Sequence, residues 1–196
     1  MLPFITPGLL GGAPATPPAA IWNSATGGGR YTFTSTDHIA TYNNAAGYIP
    51  VVSSTSKTSG KWYSEVLIGG TVADVEVGFA ATGYDTTHFL GFNATGWGWD
   101  SAGGIYNNNA SVQPGDTFAT GDTIMLAIDA TTGKMWWGKN GTWTNSGNPG
   151  AGTGQSYTGT GGSTFYIAGS PTGGTSTSLR LNSTLTYSTP SGFSNW

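Results

Sequence analysis

From Ile21 onward the sequence consists of short apolar stretches separated by turn residues, and no longer stretch repeats its apolar side chains at helical spacing. Apolar and other side chains alternate at every second position, as they do in a strand with one buried face. Glycine occurs 33 times and supplies the turns together with Ser, Thr and Asn. The pattern predicts an all-β fold, an antiparallel two-sheet β-sandwich with one helical turn.

The predicted strands lie in residues 30–36, 60–70, 72–82, 122–143, 163–171 and 177–187. In the third of these segments Val75, Val77 and Phe79 share one face, and Asp74 and Glu76 lie on the other face. Two acids on one strand face are compatible with an acid/base pair, with a calcium site or with a solvated surface. We favour the solvated surface and predict no metal site.

Three of the eight tryptophans lie in residues 133–143, around the dipeptide Asn140-Gly141. A two-residue type I′ hairpin needs positive φ at both central positions, which Asn-Gly tolerates best. Trp137 therefore lies on one strand face and Trp136 on the other, and at most one face can be the inner face of a sandwich. We expect Trp136 and Trp143 to be the more exposed rings. The alternative is that Trp136 packs under the N-terminal arm or a neighbouring subunit.

Charge and composition exclude several function classes. Only 8 % of residues are charged, the net charge is −3, and the six Lys and Arg residues form no basic patch, which argues against a nucleic-acid partner. The absence of cysteine excludes disulfides and thiol chemistry. His38 and His88 are isolated, and no motif of a hydrolase or of a phosphate-binding loop is present. We expect a non-enzymatic protein without a cofactor.

Residues 1–20 form a Pro-rich apolar arm that precedes the domain predicted for residues 21–196. Proline prevents regular helix or central strand here, and no stretch approaches the roughly 20 apolar residues of a membrane span. The stretch lacks the basic start of a signal peptide, so a signal peptide is the less favoured interpretation. We expect the arm to anchor the chain to another subunit, the alternative being an arm folded back on its own domain. The anchoring candidates are Leu2, Phe4, Ile5, Leu9 and Leu10.

Several segments, in order, resemble the SPRY domain family. They are SGKWYSEVLI (59–68), VEVGFA (75–80), GWGWDSAGGIYNNN (96–109), FATGDTIMLAIDATTGKMWWGKNGTW (118–143), FYIAGSP and LRLN. The resemblance spans about residues 22–187. It implies a β-sandwich with Trp62 and Trp137 in the core, no shared catalytic machinery, and partner binding through variable loops at one end. The Thr/Gly/Asn-rich style, the ending LTYSTPSGFSNW and the arm MLPFITPG also resemble SPRY-like domains of bacteriophage structural proteins.

Exposed aromatic rings flanked by Asn and Thr suit a saccharide-binding surface, because a ring face stacks on a sugar while amides bond its hydroxyls. The ligand-binding candidates are Tyr84, Asp85, Trp97, Trp99, Asn107, Asn108, Trp136 and Trp143.

The most consistent interpretation is a non-enzymatic bacteriophage virion protein of the capsid decoration or cement type. The arm would attach it to other virion proteins, and the SPRY-like domain would be displayed at the particle surface, in a homo-oligomer. The alternatives are a tail or head appendage that binds a host surface saccharide, or a free SPRY module that binds a protein.

Overall fold

The computed structural model describes residues 20–36, 38–43, 47–173 and 176–196. Over these ranges the chain forms two β-sheets packed face to face, with two 3-10 turns at Gly27–Gly29 and Thr144–Ser146. The predicted all-β sandwich is confirmed. The five anchoring candidates of the arm lie outside the described residues, whereas Ala20 is buried against the core. Within the described part of the chain, no helix reaches the length and hydropathy that a membrane span requires.

The strands in chain order are β1 (Tyr31–Thr34), β2 (Ile39–Tyr42), β3 (Val51–Val52), β4 (Lys61–Gly69), β5 (Val75–Ala81), β6 (Gly96–Asp100), β7 (Gly104–Asn107), β8 (Ala110–Pro114), β9 (Thr123–Asp129), β10 (Lys134–Lys139), β11 (Thr142–Trp143), β12 (Tyr157–Thr158), β13 (Phe165–Pro171), β14 (Ser178–Leu181) and β15 (Ser194–Asn195).

These strands form a nine-stranded and a six-stranded sheet over the described ranges. The larger sheet has the order β1-β2-β14-β4-β9-β10-β11, with β12 also paired to β10 and β15 to β4. The smaller sheet has the order β3-β13-β5-β6-β7-β8. The named strand pairs are antiparallel, except that β15 runs parallel to β4. Strand β8 is therefore an edge of the smaller sheet.

Alternation along the central strands builds the core between the sheets. Val66 and Ile68 of β4 and Ile124 of β9 point inward from the larger sheet and meet Val77 and Phe79 of β5 from the smaller one. Fully burying one such side chain stabilises the fold by roughly 1.5–3 kcal/mol. Trp137 lies in this core, as the family resemblance implies. Trp62 is not a full core residue, because it packs against the margin of the core and is only half-buried.

Three indole N–H groups tie one sheet to the other. Trp137 of β10 donates to the Val77 carbonyl of β5 at 2.9 Å. Trp22 forms a β-bridge with Ser53, directly after β3, and its indole N–H donates to the Leu179 carbonyl of β14 at 2.9 Å. The Trp196 indole N–H donates to the Thr55 carbonyl at 3.2 Å. A Cβ at Gly78 would lie 3.0 Å from the Trp137 Nε1 and 2.1 Å from a neighbouring carbonyl, so glycine is needed there.

The predicted hairpin at Asn140-Gly141 is present, with φ of 50° and 88° at these two residues. The expectation that Trp136 is exposed is wrong, because its side chain is 1 % exposed. Its ring packs edge to face on Phe193, with centroids 6.1 Å apart, and its indole N–H donates to the Thr153 carbonyl at 2.8 Å. The cover is therefore supplied by the chain itself, through residues 182–196, here named the C-terminal segment.

A buried carboxylate fixes the C-terminal segment on the outer face of the larger sheet. Glu65 of β4 is fully buried and accepts four hydrogen bonds. The donors are the Tyr63 hydroxyl at 2.9 Å, the Asn182 amide at 3.0 Å, and the backbone N–H groups of Thr186 and Tyr187, both at 2.8 Å. Each hydrogen bond to a charged group contributes about 1.5–3 kcal/mol, so this acid is stabilised by its donors.

The outer face of the smaller sheet is covered by residues 82–95, which connect β5 to β6. Leu90 of this connection packs on Val52, Ala80 and Ala168, one residue from each of three neighbouring strands. Both sheets therefore bury part of their outer faces as well as their inner ones.

We predict that Glu65→Gln lowers the free energy of unfolding by about 2–3 kcal/mol, because a glutamine amide cannot accept all four hydrogen bonds. Urea denaturation monitored by tryptophan fluorescence measures this loss. The control is Asp116→Asn, a change of the same kind at an exposed acid, which should leave stability unchanged. Equal stability of Glu65→Gln and the parent would contradict the proposed role of the carboxylate.

Candidate functional site

An open groove lies where the two sheets meet at one end of the sandwich. It has a volume of about 250 Å³ and is here named the Trp143 groove. Its lining residues are Pro114, Gly115, Asp116, Trp143, Thr144 and Asn145. The first three lie at the end of β8 in the smaller sheet and directly after it, and the last three belong to β11 and the turn after it in the larger sheet.

Close packing beneath the groove fixes the positions of its two sides, one at the end of β8 and the other at β11. A Cβ at Gly115 would lie 2.5 Å from the Nε1 atom of buried Trp99, so glycine lets the chain pass over this indole. The Lys139 ammonium donates to the Thr117 carbonyl at 2.6 Å, which joins the wall after β8 to β10. The Thr144 hydroxyl donates to the Trp137 carbonyl at 2.9 Å. The groove is therefore supported by contacts within and between the sheets.

Trp143 offers the main apolar surface of the groove. Its half-buried ring contacts Tyr63 edge to face, with centroids 6.1 Å apart, and leaves part of its surface open. The exposed carboxylate of Asp116 and the exposed amide of Asn145 stand beside it. An aromatic surface flanked by a few polar groups suits an extended polypeptide or a sugar, since each has apolar patches and hydrogen-bonding groups.

The neighbouring edge strand β8 is unsuited to pairing with a partner strand. Val112, 37 % exposed, lies at a register shift between β7 and β8, where the ladder is interrupted by a β-bulge. Pro114 at the end of β8 has no N–H to donate. Bulges and prolines are common ways of blocking strand addition at a sheet edge. Strand addition at this edge is therefore disfavoured.

Three carboxylates converge on the outer face of the smaller sheet. One oxygen each of Asp74, Glu76 and Asp100 lies within 4.8 Å of the others, and Glu76 faces Asp100 across the β5–β6 pair. The Tyr48 hydroxyl donates to Asp74 at 2.9 Å, and the Ser101 hydroxyl donates to its other oxygen at 3.3 Å. We name this group the Asp74–Glu76–Asp100 cluster.

The preference for a solvated strand face is wrong at Glu76, whose side chain is 2 % exposed. Burial raises the pKa of Glu76 well above its ordinary value, and the charges of Asp74 and Asp100 raise it further, against an opposing effect of the Ser170 hydroxyl. Burial also raises the pKa of Asp100. For Tyr48, burial followed by the hydrogen bond to Asp74 raises the pKa to about 12. The cluster thus concentrates acids that are costly to ionise together.

The structure does not bring the eight predicted ligand-binding residues together. Trp97, Trp99 and Trp136 are buried, so they do not form the expected surface of exposed rings. Asn107 is buried too, with its amide donating to the Gly96 carbonyl at 2.7 Å and its oxygen accepting from the Tyr157 hydroxyl at 3.0 Å. These four side chains are engaged inside the fold.

The other four candidates lie at two opposite ends of the sandwich. Trp143 lies in its groove, whereas Tyr84, Asp85 and Asn108 lie where β5 and β7 end. There the Asp85 carboxylate accepts from the Thr87 backbone N–H at 2.7 Å and pairs with the His88 ring at 2.8 Å. Their roles in ligand binding remain predictions.

Sequence reasoning missed the polar side of the groove and one acid of the cluster. Asp116 and Asn145 lie in turn-rich stretches with no periodic signal, and their meeting depends on the packing of the two sheets. The position of Asp100 beside Glu76 was predictable from the sequence, because GWGWD follows VEVGFA as the next strand. Placing the two strands antiparallel would have put an acid beside Glu76.

The chain matches a family model and several solved structures. The SPRY domain model matches residues 61–180. The SPRY domain of human HERC1 superposes with a TM-score of 0.63 at 18 % identity, over 77 % of this chain and 91 % of that one. The TRIM65 PSpry domain has a TM-score of 0.63 at 11 % identity, over 84 % and 89 %. Stonustoxin has a TM-score of 0.62 at 15 % identity, over 84 % of this chain and 27 % of that one. No curated protein sequence matches the chain.

We predict unequal roles for the two tryptophans of the outer face. Trp136→Ala should lower the free energy of unfolding by about 3–5 kcal/mol, because it empties a buried site under the C-terminal segment. Trp143→Ala should cost about 1 kcal/mol, since that ring is already half exposed. Urea denaturation of both variants measures the difference. Equal losses would mean that Trp143 is as much a packing residue as Trp136.

Proposed function

The chain belongs to the SPRY domain family, and from that membership we propose that it is a non-catalytic module that binds a protein partner in the Trp143 groove. SPRY domains are generally protein-interaction modules without catalytic function. The observation that carries the assignment to the groove is the half-buried Trp143 ring, accessible in an open groove that both sheets build. Tryptophan is enriched among the residues that contribute most to the free energy of protein–protein binding.

The groove indicates the chemistry of the partner. One apolar side chain of an extended partner segment would cover the Trp143 ring. Hydrogen-bond donors of that segment would bond to the Asp116 carboxylate, and its other polar groups would bond to the Asn145 amide. The groove has few charges, so binding there should depend weakly on ionic strength. A partner that fits is an uncharged, extended stretch of polypeptide.

The place of action that we propose is the surface of a bacteriophage particle. The apolar arm would attach the chain to other virion proteins, and the SPRY domain would be displayed outward as capsid decoration, in a homo-oligomer. Three features support this role. They are the apolar residues among the prolines of the arm, the low fraction of charged residues, and the resemblance of the Thr/Gly/Asn-rich composition and of the LTYSTPSGFSNW segment to phage structural proteins.

A second candidate function is recognition of a host surface saccharide by a tail or head appendage. It is favoured by the position of Asn145 two residues after Trp143, which places an exposed amide beside an accessible ring. The two functions use the same groove, so they differ in the ligand that binds and not in the residues.

The role of the arm is tested by replacing Leu2, Phe4, Ile5, Leu9 and Leu10 with serine. Attachment to particles that lack the protein should be lost, because the apolar contacts disappear, while the thermal unfolding midpoint stays that of the parent. Co-sedimentation with the particles measures attachment. A matched control replaces Ala13, Ala15 and Ala19 with serine and should attach normally. Full attachment of the first variant would refute an anchoring arm.

The role of the groove is tested by selecting peptides from a displayed library on the full chain and measuring their affinity by calorimetry. Trp143→Ala should weaken binding about 30-fold or more, the range of a dominant interface residue. Tyr84→Ala, at the opposite end of the sandwich, is the control and should bind as the parent does. If Tyr84→Ala abolishes binding and Trp143→Ala does not, the binding surface lies at the other end. Parallel titration with bacterial surface polysaccharides separates the two ligand classes.

A further inference from the structure

We propose that the Asp74–Glu76–Asp100 cluster binds a divalent cation, with calcium preferred, through carboxylate oxygens of all three residues. This departs from the expectation of a chain without a metal site. It is independent of the Trp143 groove, because the cluster lies on the outer face of the smaller sheet and is built by different residues.

The spacing of the three acids fits such an ion. Calcium binds oxygens at about 2.3–2.6 Å, so two oxygens on opposite sides of the ion are separated by up to about 5 Å. The three carboxylate oxygens lie within 4.8 Å of one another. Magnesium requires about 2.0–2.1 Å and a near-ideal octahedron, which is harder to meet from strands of fixed spacing. The all-oxygen donor set disfavours zinc, which prefers nitrogen and sulfur ligands.

Glu76 supplies an observation beyond the clustering of acids. Its Oε2 atom is buried and makes no hydrogen bond of normal geometry with any described residue. Glu65, the other buried glutamate, lies on the outer face of the opposite sheet and has four donors. A buried carboxylate is costly unless donors, a proton or a cation compensate its charge. Glu65 has four donors, whereas the Glu76 Oε2 atom has none of normal geometry and the residue has two acids as neighbours.

Among the described residues, no cationic side chain forms an ion pair with the cluster. The ion pair found in this part of the chain joins His88 to Asp85. The Ser170 hydroxyl, opposite Glu76 in register, is also buried without a hydrogen bond of normal geometry. It offers a neutral oxygen at the floor of the site. Carboxylates, this hydroxyl and water can together complete the six to eight oxygen ligands of calcium.

The surrounding contacts hold the acids in place and leave a route for the ion. Tyr48 and Ser101 donate to the two oxygens of Asp74, and the Ala102 backbone N–H donates to Asp100. These bonds orient the two acids that are in part exposed, while Glu76 lies below them. An ion could therefore enter from solvent past Asp74 and Asp100 and reach Glu76.

The test is thermal unfolding of the full chain, first in chelator and then in CaCl₂, MgCl₂ or MnCl₂, with calcium affinity measured by calorimetry. Calcium at about 100-fold over its Kd should raise the Tm by roughly 5–10 °C. Glu76→Gln should bind calcium at least ten-fold more weakly and lose most of this rise. Asp116→Asn, which removes an acid outside the cluster, should respond as the parent does.

The same variants distinguish a cation from a proton shared among the acids. In chelator Glu76→Gln should unfold at a higher temperature than the parent, because an amide removes the cost of burying or protonating the carboxyl group, and in calcium the order should reverse. The proposal is overturned if none of the three cations shifts the parent Tm, or if Glu76→Gln and Asp100→Asn both keep the full calcium response. If Glu76→Gln fails to fold, a full calcium response of Asp100→Asn alone overturns the proposal. A larger rise with magnesium than with calcium would overturn the calcium preference.

Discussion

The sandwich depends on indole N–H groups that donate across the space between its sheets. Trp137 bonds to the smaller sheet at Val77, while Trp22 bonds in the opposite direction to the larger sheet at Leu179. Each bond satisfies a polar group in an apolar interior and fixes how the sheets are placed relative to each other. Gly78 has to lack a side chain for the Trp137 bond to form. The positions of the end loops, and hence of the groove, follow from this placement.

Both sheets are also covered on their outer faces, and this second layer determines which acidic side chains are buried. On one side the C-terminal segment brings donors to Glu65. On the other side residues 82–95 contribute Leu90 to a small apolar cluster, and Glu76 of the same sheet is left with two acids as neighbours. The same residue type therefore has four hydrogen-bond donors at one position and two acidic neighbours at the other.

Backbone preference and side-chain alternation predicted the strands and the hairpin well. They did not predict burial that depends on contacts between distant segments. The Asn140-Gly141 hairpin and the inward face of β5 follow from backbone preference and alternation, and both are present. The burial of Trp136 could not be read in this way, because its cover is a turn-rich segment without periodicity. The Glu76 environment likewise depends on a connection packed over the sheet and on the pairing with Asp100. The Trp143 groove needs the packing of both sheets, which no single segment encodes.

The cross-sheet indole bonds join residues that are far apart in the sequence. Trp22 and its acceptor are separated by 157 positions, and Trp196 and its acceptor by 141. On a ribosome these bonds can form only when nearly all of the described chain has emerged, so the sandwich closes late. Contacts of such long range also slow folding in free solution. Until then the inward apolar faces of β4 and β5 lack part of their cover, and exposed apolar surface of this kind favours aggregation of incomplete chains.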